Sequence, residues 1–600
     1  IKGMRWTLQP LMPLLQLMIS CMFTAIGGEI EFLPVSHSLI VDIKFKEDDS
    51  PLSFPVQISP NFDPKFIILE PDDAQEDLVR INETGYMGDA RVALLTVQPR
   101  YKHIKVKIET GISRSGSNPL ASYGRPFDDF LASLLPNFTP ISSPQPRPAP
   151  TGKGWIPPSP ACKIYVREDG IYHINLSDLK SAGVPIEDID PRTFRMFNMG
   201  RVVPLFVAGE SDGHFDPDDY IEFWGESYRD DYTDLNVYWL TWGSKRGERM
   251  ALKDGGGKTG KIVDRCVVTE HFERNARRIG LGYISGLKSS LFWTDINLGE
   301  AKRVRLDLYG VIPNGMAKLR ALFYGRSLTH HHLKLYLNGV PIGDLRWSGQ
   351  TKMDFETAFP AGILRNGVNF LTMRCLLDAQ SADVDQSVLD WIDVEYTRRL
   401  TAHDDLLSFK SPDLKEEVTF RLSGFSGKGV EVYRDGWVKF TNLKPRRDGS
   451  GYTLEFTDVP GGSRYIALSP DRKLKPVRIE MDTPSSLRNA SNSADYLIIT
   501  SDNLTDAVKR LALYRSRRLK VYVAKVGDIY DEFNYGILSP KAIRDFLRYA
   551  YFHWKRPAPS YVLLVGSVPA YRFNSFKFGF ASTDNLLVCV NGDDSLPDMF

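Results

Sequence analysis

Cysteine is scarce in this sequence of 600 residues, which holds Cys21, Cys162, Cys266, Cys375 and Cys589. No two of them form a CxxC pair, so the chain has neither the spacing of a zinc finger nor a dense disulfide framework. An excess of one charge is also missing, because 75 Lys and Arg face 74 Asp and Glu, for a formal net charge of +1. This balance gives no reason to expect a nucleic acid partner.

Long apolar runs are rare as well, and the one near the beginning has the order of a secretory signal. Lys2 and Arg5 precede an apolar stretch from Leu11 to Ile26, and small residues follow at Gly27 and Gly28. The stretch is short for a membrane-spanning helix and Pro13 interrupts it, which favours a removed signal peptide over a membrane anchor. We therefore expect export to the cell surface, the outer membrane or the extracellular space.

Short runs of alternating apolar and polar residues dominate the chain from position 29 to about 490. Examples are Leu39–Phe45 and Arg91–Val97, and this period of two is typical of half-buried strands. Asn338-Gly339 joins two such runs, as expected for a hairpin turn. The proline-rich segment Pro136–Pro160 can neither continue a helix nor donate ladder hydrogen bonds, which predicts an extended linker. Several β-sandwich-like modules are therefore expected.

The last hundred residues have a different pattern, in which apolar strands alternate with helices. Strands are predicted at Asp495–Thr500, Leu519–Ala524 and Tyr561–Gly566. Ser539 and Pro540 are typical of a helix start, as an N-cap followed by a first-turn proline. This order predicts a parallel, doubly wound α/β sheet, whose functional groups lie at the carboxyl ends of its strands.

These patterns divide the chain into seven predicted parts. They are a signal peptide (1–28), an N-terminal β domain (29–135), a proline-rich linker (136–160), a β-rich domain (161–260), a jelly-roll-like β-sandwich (261–402), a further β domain (403–490) and an α/β domain (491–600).

Three local clusters in the β region each allow a site and a plainer interpretation. Gly255–Thr259 lacks the first glycine of a phosphate-binding loop, and a flexible loop is favoured. His330 and His332 share one face of a strand and could bind zinc, although an exposed strand edge is the simpler interpretation. The carboxylates of Asp212–Asp219 suit calcium, but the same residue types also form turns.

The densest acidic cluster of the last hundred residues is formed by Asp593, Asp594 and Asp598. Carboxylates this close recruit a cation or raise one another's pKa, so calcium binding competes with an ordinary solvated turn. Cys589 lies in an apolar run and is expected in the core, whereas a nucleophile needs partial exposure near a base. His553, at the end of a predicted helix, is expected to pack or cap.

Several segments in this order resemble the gingipain-type cysteine peptidases, over about the last hundred residues. The segments are Asp495–Thr500, Asp528–Phe533, Tyr535–Ile537, Ala542–Leu547, Tyr561–Gly566, and Gly592–Asp594 with Pro597–Asp598. Upstream, Asp169–Tyr172 and Phe215–Phe223 resemble the N-terminal part of the larger exported members, which include the cell-surface sortase of type IX secretion.

The resemblance implies a caspase-like α/β fold and peptide-bond cleavage by a Cys-His dyad. In the family, the histidine has a Gly-His-Gly setting and the cysteine ends a later strand, both beyond the Gly-Asp-Asp segment. No histidine of this sequence has that setting, so the dyad is expected downstream of Phe600 and the fragment is expected to be inactive.

Two hypotheses follow for the function. The first is an exported cysteine endopeptidase, or a sortase-type transpeptidase, that acts on protein or peptide substrates and has cell-surface or secretion-system partners. The second is a non-enzymatic surface or secretion protein, with β modules that bind glycans or polypeptides and a degenerate peptidase domain.

Overall fold

The computed structural model describes most of the chain between positions 29 and 566. The described ranges are 29–35, 38–44, 52–58, 65–71, 78–87, 90–98, 101–110, 154–230, 232–257, 260–274, 276–278, 291–376 and 384–566. This part is mostly β-strand, arranged in ten sheets. None of its helices is long and apolar enough to cross a membrane.

The first unit consists of two antiparallel sheets whose alternating apolar residues form a common core. The orders are β1-β2-β7-β4 and β3-β6-β5. Leu39, Val41 and Ile43 are buried, as the period of two predicts. The strands are β1 (Glu29–Val35), β2 (Ser38–Lys44), β3 (Leu52–Ile58), β4 (Lys65–Glu70), β5 (Val79–Met87), β6 (Ala90–Val97) and β7 (His103–Glu109).

The second unit begins at position 161 and contains one short helix. That helix, α1 (Leu176–Ser181), has a capping box in which the Asn175 side chain accepts from the Asp178 backbone N–H. The strands are β8 (Ala161–Val166), β9 (Gly170–Asn175), β10 (Arg195–Asn198), β11 (Arg201–Val203), β12 (Phe206–Val207), β13 (Tyr220–Gly225) and β14 (Asn236–Thr241). One sheet has the order β12-β13-β9.

The third unit is a β-sandwich of two larger sheets. Before it come β15 (Ala251–Asp254) and β16 (Ile262–Val263), and its own strands are β17 (Arg265–Glu273), β18 (Arg277–Arg278), β19 (Leu291–Phe292), β20 (Thr294–Asn297), β21 (Ala301–Leu308), β22 (Met316–Gly325), β23 (His330–Leu337), β24 (Val340–Ser348), β25 (Lys352–Pro360), β26 (Gly367–Cys375) and β27 (Gln386–Arg399). The sheet orders are β17-β27-β22-β25 and β21-β26-β23-β24.

The fourth unit takes strands from both sides of the sandwich in sequence. Its strands are β28 (Leu406–Lys410), β29 (Val418–Phe425), β30 (Glu431–Arg434), β31 (Val438–Thr441), β32 (Arg446–Asp448), β33 (Gly451–Asp458), β34 (Arg464–Leu468) and β35 (Arg478–Met481). β15 pairs in parallel with β31 and β16 with β29. β35 returns to the second unit, where it completes the order β11-β10-β14-β8-β35.

The C-terminal unit is a parallel sheet with helices, which confirms the three predicted strands and the two predicted helices and adds a third helix, between the second strand and the last helix. The order is β37-β36-β38, in parallel throughout. The elements are β36 (Tyr496–Thr500), α2 (Thr505–Arg515), β37 (Val521–Lys525), α3 (Val526–Asn534), α4 (Pro540–His553) and β38 (Tyr561–Val565). Ser539 caps α4 and Pro540 opens it, as predicted.

Short 3-10 turns occupy several connections. They lie at Ile186–Asp188, Pro191–Thr193, Glu210–Asp212, Ala361–Ile363, Pro470–Arg472 and Asp502–Leu504. The predicted hairpin turn at Asn338-Gly339 is confirmed, with φ of 51° and 88°. Positive φ at both central residues gives the turn the twist of the flanking strands.

The described end of the predicted proline-rich linker packs against the second unit. Trp155 has its ring centroid 6.0 Å from that of Phe197 and 6.3 Å from that of Trp239. It also lies 5.6 Å from the ring of Tyr535, in the C-terminal unit. Residues 154–160 are therefore part of a packed junction between two units.

Candidate functional site

The carboxyl edge of the parallel sheet is where the α/β architecture predicts functional groups. Lys525 ends β37, and its Nζ lies 3.1 Å from Oδ1 of Asp502, which follows β36. Asp528, in the first turn of α3, has its pKa raised to about 6 by burial, although the charge of Lys525 opposes this rise. The described part of this edge offers carboxylates and an ammonium group, and neither cysteine nor histidine.

Helix α3 lies between the parallel sheet and the sheet of the second unit. Ile529 packs into the core of the C-terminal unit, together with Phe546 of α4. On the other side, Asp531 accepts a 2.8 Å hydrogen bond from Nζ of Lys163 on β8. After the helix, the carbonyl of Tyr535 accepts a 2.7 Å hydrogen bond from the indole N–H of Trp239. The C-terminal unit is therefore built onto the β-sheet of the second unit.

Two buried carboxylates share the single ammonium group of Lys163. Asp531 lies 2.8 Å and Asp482 3.6 Å from its Nζ, and all three side chains are at most 13% exposed. Burial raises the pKa of Asp531 to about 7 and also raises that of Asp482, while the charge of Lys163 only partly offsets it. One ammonium group thus faces two carboxyl groups, which favours retention of a proton by this carboxyl pair near neutral pH.

Glu532 fixes the segment that enters the α/β unit. Its buried carboxylate accepts from the backbone N–H groups of Leu487 at 2.7 Å and Arg488 at 2.8 Å, and from Oγ of Ser485 at 2.6 Å. The Leu487 carbonyl in turn accepts from the indole N–H of Trp554 at 2.8 Å. A cavity of about 260 Å³ opens beside this segment. The entry segment is therefore held by specific hydrogen bonds.

The three consecutive histidines have separate partners. His330 Nδ1 lies 2.6 Å from Oγ of Ser348, and His332 Nε2 lies 2.8 Å from Oδ1 of Asp344. β23 is an inner strand of its sheet and His332 is buried, so the exposed-edge interpretation was wrong. In the described ranges, no group of three or more His, Cys, Asp or Glu side chains is arranged to hold a metal ion.

A buried polar group in the sandwich was missed by the sequence reasoning. His331 Nδ1 lies 2.5 Å from Oδ1 of Asp385, and Sγ of Cys375 lies 3.2 Å from Oδ2 of the same carboxylate. All three residues are 1% exposed. Burial, together with the carboxylate, raises the pKa of the Cys375 thiol to about 12. This arrangement resembles a nucleophile with its base, but a sealed and protonated thiol is suited to packing rather than catalysis.

The other two described cysteines are equally unsuited to nucleophilic attack. Burial raises the pKa of Cys162 to about 12 and that of Cys266 to about 11. Both thiols are buried in hydrophobic cores. A reactive thiolate needs a lowered pKa and some exposure, so these positions are structural.

The remaining predicted residues have local structural roles or lie outside the described ranges. In the Asp212–Asp219 segment, the Asp219 carboxylate accepts from the Asp216 backbone N–H at 2.8 Å, as in an ordinary turn. His553 stacks on Tyr549 with ring centroids 4.4 Å apart, which confirms packing. The Gly255–Gly257 segment follows β15 without a helix. Positions 258–259, Cys589, Asp593, Asp594 and Asp598 lie outside the described residues.

Comparison with known proteins identifies the C-terminal unit. Residues 489–600 match the family model described as Peptidase family C25. This match confirms the predicted resemblance of the last hundred residues to the gingipain-type peptidases. The match begins directly after the segment held by Glu532 and includes the three described strands of the parallel sheet.

Several solved structures align with parts of the chain, whereas no curated protein matches it. The crystal structure of dimeric latent PorU from Porphyromonas gingivalis aligns at 16% identity, covering 65% of this chain and 39% of PorU, with a TM-score of 0.48. A CBM36-1 domain of a xylanase from the hindgut metagenome of Trinervitermes trinervoides aligns at 9% identity, covering 22% and 95%, with a TM-score of 0.15. A family 35 carbohydrate binding module from Clostridium thermocellum aligns at 11% identity, covering 22% of this chain and 91% of the module, with a TM-score of 0.13. TM-scores below 0.5 support no further conclusion. The chain spans less than half of the PorU chain.

Proposed function

We propose that this chain belongs to an exported cysteine endopeptidase or sortase-type transpeptidase that acts on protein substrates. The observation that carries the proposal is the match of residues 489–600 to a peptidase family, on a parallel sheet. In such a sheet, reacting groups are mounted at the carboxyl ends of the strands. The sheet would have the caspase-like arrangement implied by the resemblance.

The catalytic thiol and imidazole are assigned neither to the cysteines that the structure describes nor to His553. Cys162, Cys266 and Cys375 are buried, and His553 is stacked on Tyr549. In the proposed chemistry, the imidazole takes the thiol proton and the thiolate attacks the carbonyl carbon of the substrate. Backbone N–H groups stabilise the oxyanion, and the amine of the cleaved peptide bond leaves with the proton that the imidazole took up. The acyl group is then transferred from the thioester to water or, in a transpeptidase, to a second amine, which frees the thiol again.

The test is to read the gene past Phe600 and to express the whole protein. We expect a histidine in a Gly-His setting and a cysteine that ends a later strand. Replacement of that cysteine by alanine should abolish both peptide-bond cleavage and labelling by an iodoacetamide probe. Absence of these residues, with binding of cell-surface polysaccharide by residues 161–480, would favour the non-enzymatic surface protein instead.

Calcium binding by Asp593, Asp594 and Asp598 is a separate proposal about the same domain. Three carboxylates within six positions are an oxygen-rich ligand set of the kind that calcium uses. Addition of EGTA should lower the melting temperature of the whole protein, and the triple Asp→Asn variant should not respond. An unchanged melting temperature on chelation would contradict the proposal.

A further inference from the structure

A diagonal row of cations crosses the outer face of the sandwich sheet β21-β26-β23-β24. Arg303 on β21 pairs with Thr372 on β26, and Thr372 pairs with Tyr336 on β23. One row further along the strands, Arg374 pairs with Lys334. In the next row, Arg346 on β24 pairs with His332. Each of the four strands therefore contributes a cation to a diagonal in which Arg374 and Lys334 lie side by side between Arg303 and Arg346.

This cationic stripe, formed by Arg303, Arg374, Lys334 and Arg346, is about 20 Å long. The length follows from strands about 4.8 Å apart and a rise of about 3.4 Å per residue. The side chains of Lys334 and Arg346 are 40% and 58% exposed. Arg303 and Arg374 are exposed as well. The stripe is therefore an accessible track.

Two of the four cations are held by aromatic rings. The guanidinium of Arg303 lies 4.6 Å from the ring centroid of Phe370, and that of Arg374 lies 5.8 Å from that of Tyr336. Within the described ranges, neither forms an ion pair. Stacking on a ring restricts the side chain while leaving its N–H groups available, so less entropy is lost when an anion binds.

Other charges on this face leave a positive balance. Arg305 is also present, but it pairs with Asp307 at 2.8 Å. Asp344 faces Lys334 and Arg346, each at 3.6 Å. The opposite sheet differs, because its exposed cations Lys318 and Arg320 have the carboxylates of Glu395 and Glu356 at 3.9 and 3.3 Å. The two faces of the sandwich therefore differ in charge, and the stripe includes two cations, Arg303 and Arg374, that are supported by aromatic rings and have no acid partner in the described residues.

We propose that the cationic stripe binds an anionic polysaccharide that carries carboxylate or sulfate groups. Cations spaced over about 20 Å suit a polymer with well-separated charges, whereas duplex nucleic acid carries one negative charge per about 1.7 Å. Thr372 and Asp344, which lie beside Arg303 and Lys334, can hydrogen bond to sugar hydroxyls. The Asp344 carboxylate would repel a densely charged phosphate backbone. The proposal does not depend on peptidase activity.

Binding of the purified 600-residue chain to polygalacturonate and to dextran sulfate tests the proposal, with neutral dextran and a DNA duplex as comparison polymers. We expect salt-sensitive binding of one or both acidic polysaccharides, and about tenfold weaker binding for the double variant R303Q/R374Q. The dependence of log affinity on log salt should become less steep, because two cations are lost. The variant K318Q/R320Q, with the same change in net charge on the opposite sheet, should bind like the original chain.

Several outcomes would overturn the proposal. Equal losses in the two variants would mean that only net charge matters, and failure to bind either acidic polysaccharide would exclude the site. Tighter binding of the duplex would assign the stripe to nucleic acid instead. Unchanged melting temperatures exclude misfolding, and K334Q/R346Q provides a second disruption of the same stripe, from which we expect the same loss.

Discussion

The indole N–H of Trp239, on the central part of a β-sheet, donates a 2.7 Å hydrogen bond to the carbonyl oxygen of Tyr535, 296 positions later. Trp239 is fully buried, and the ring of Trp155 packs against both residues. Ile537 lies in the same hydrophobic cluster as Val237 and Trp239. The second unit and the peptidase-family unit therefore share a core at this junction.

Replacement of Trp239 by phenylalanine should loosen this junction. The carbonyl of Tyr535 would lose its buried donor, which costs about 1–3 kcal/mol, and a small cavity would remain. We expect faster amide hydrogen exchange in peptides that cover residues 526–537. The matched control is Trp437→Phe, because Trp437 is 50% exposed. Equal rates of amide hydrogen exchange for residues 526–537 in the two variants would mean that this hydrogen bond does not stabilise the junction.

The shared ammonium group of Lys163 predicts a pH dependence of stability. The raised pKa of Asp531, about 7 against an ordinary 3.8, means that the folded state holds a proton that the unfolded state releases. This contribution is fully present below about pH 4 and is lost as the pH rises through 7, by up to about 1.4 kcal/mol per pH unit. Urea midpoints should therefore fall as the pH rises from about 4 to about 7.

The variant Asp531→Asn should flatten this decline, because its amide does not ionise. Asp502→Asn is the control, since Asp502 is 65% exposed and pairs with Lys525 at the surface. An unchanged pH profile for Asp531→Asn, or midpoints that rise with pH in the original chain, would contradict the assignment of the retained proton to this site.

Local signals of the sequence were sufficient for turns, caps and most strands. Asn338-Gly339 and Asp435-Gly436 both have positive φ at each residue, as their side chains permit. Ser539 and Pro540 start α4 where the pattern predicted. The apolar residues of that helix, Ile543, Phe546 and Ala550, are buried. These features depend on residues within a few positions of one another, so they can be predicted from the local sequence without knowledge of the fold.

Long-range partners could not be predicted in the same way. Asp531 and Glu532 look like a solvated acidic face, yet both are buried, because Lys163 and the backbone of residues 487–488 supply their partners. The sequence analysis did not predict helix α3, because the groups that allow its acidic side chains to be buried are distant in sequence. β35 pairs with β8 more than 300 positions earlier, and nothing in either strand specifies the other. The carboxylates proposed for calcium and the proposed dyad were not tested by the described residues.

The sealed thiol of Cys375 should not react while the chain is folded. It is 1% exposed and its pKa is raised to about 12, so almost no thiolate exists at pH 8. Mass spectrometry after treatment with iodoacetamide should find Cys375 unmodified in the native chain and modified in urea. A thiol introduced by Ser348→Cys, at an exposed position of the same sandwich, should react at once. Native labelling of Cys375 would show that the cluster opens.

Glu222 should anchor the second unit to the fourth. It is fully buried on β13, and its carboxylate accepts 2.7 Å hydrogen bonds from Oη of Tyr433 and Nζ of Lys439, as well as an ion pair from Lys473. Burial opposes ionisation, but His173, Lys439 and Lys473 outweigh it and lower the pKa to about 2. The stabilisation is therefore present above about pH 4.5 and is lost only as the pH falls through 2.

Glu222→Gln removes one charge from this network and leaves two buried ammonium groups with Glu431 as their remaining acid. Breaking a buried ion pair in this way costs about 3 kcal/mol or more. We expect a lower urea midpoint at pH 7 and unfolding at a higher pH on acidification. Glu226→Gln, which removes a half-exposed partner of Arg464, should change both values little, because exposed ion pairs contribute at most about 1 kcal/mol. Of the two glutamates, Glu222 is the one whose buried carboxylate contacts β30 and β31. Equal changes in urea midpoint and acid unfolding for the two variants would therefore mean that the buried network does not join the units.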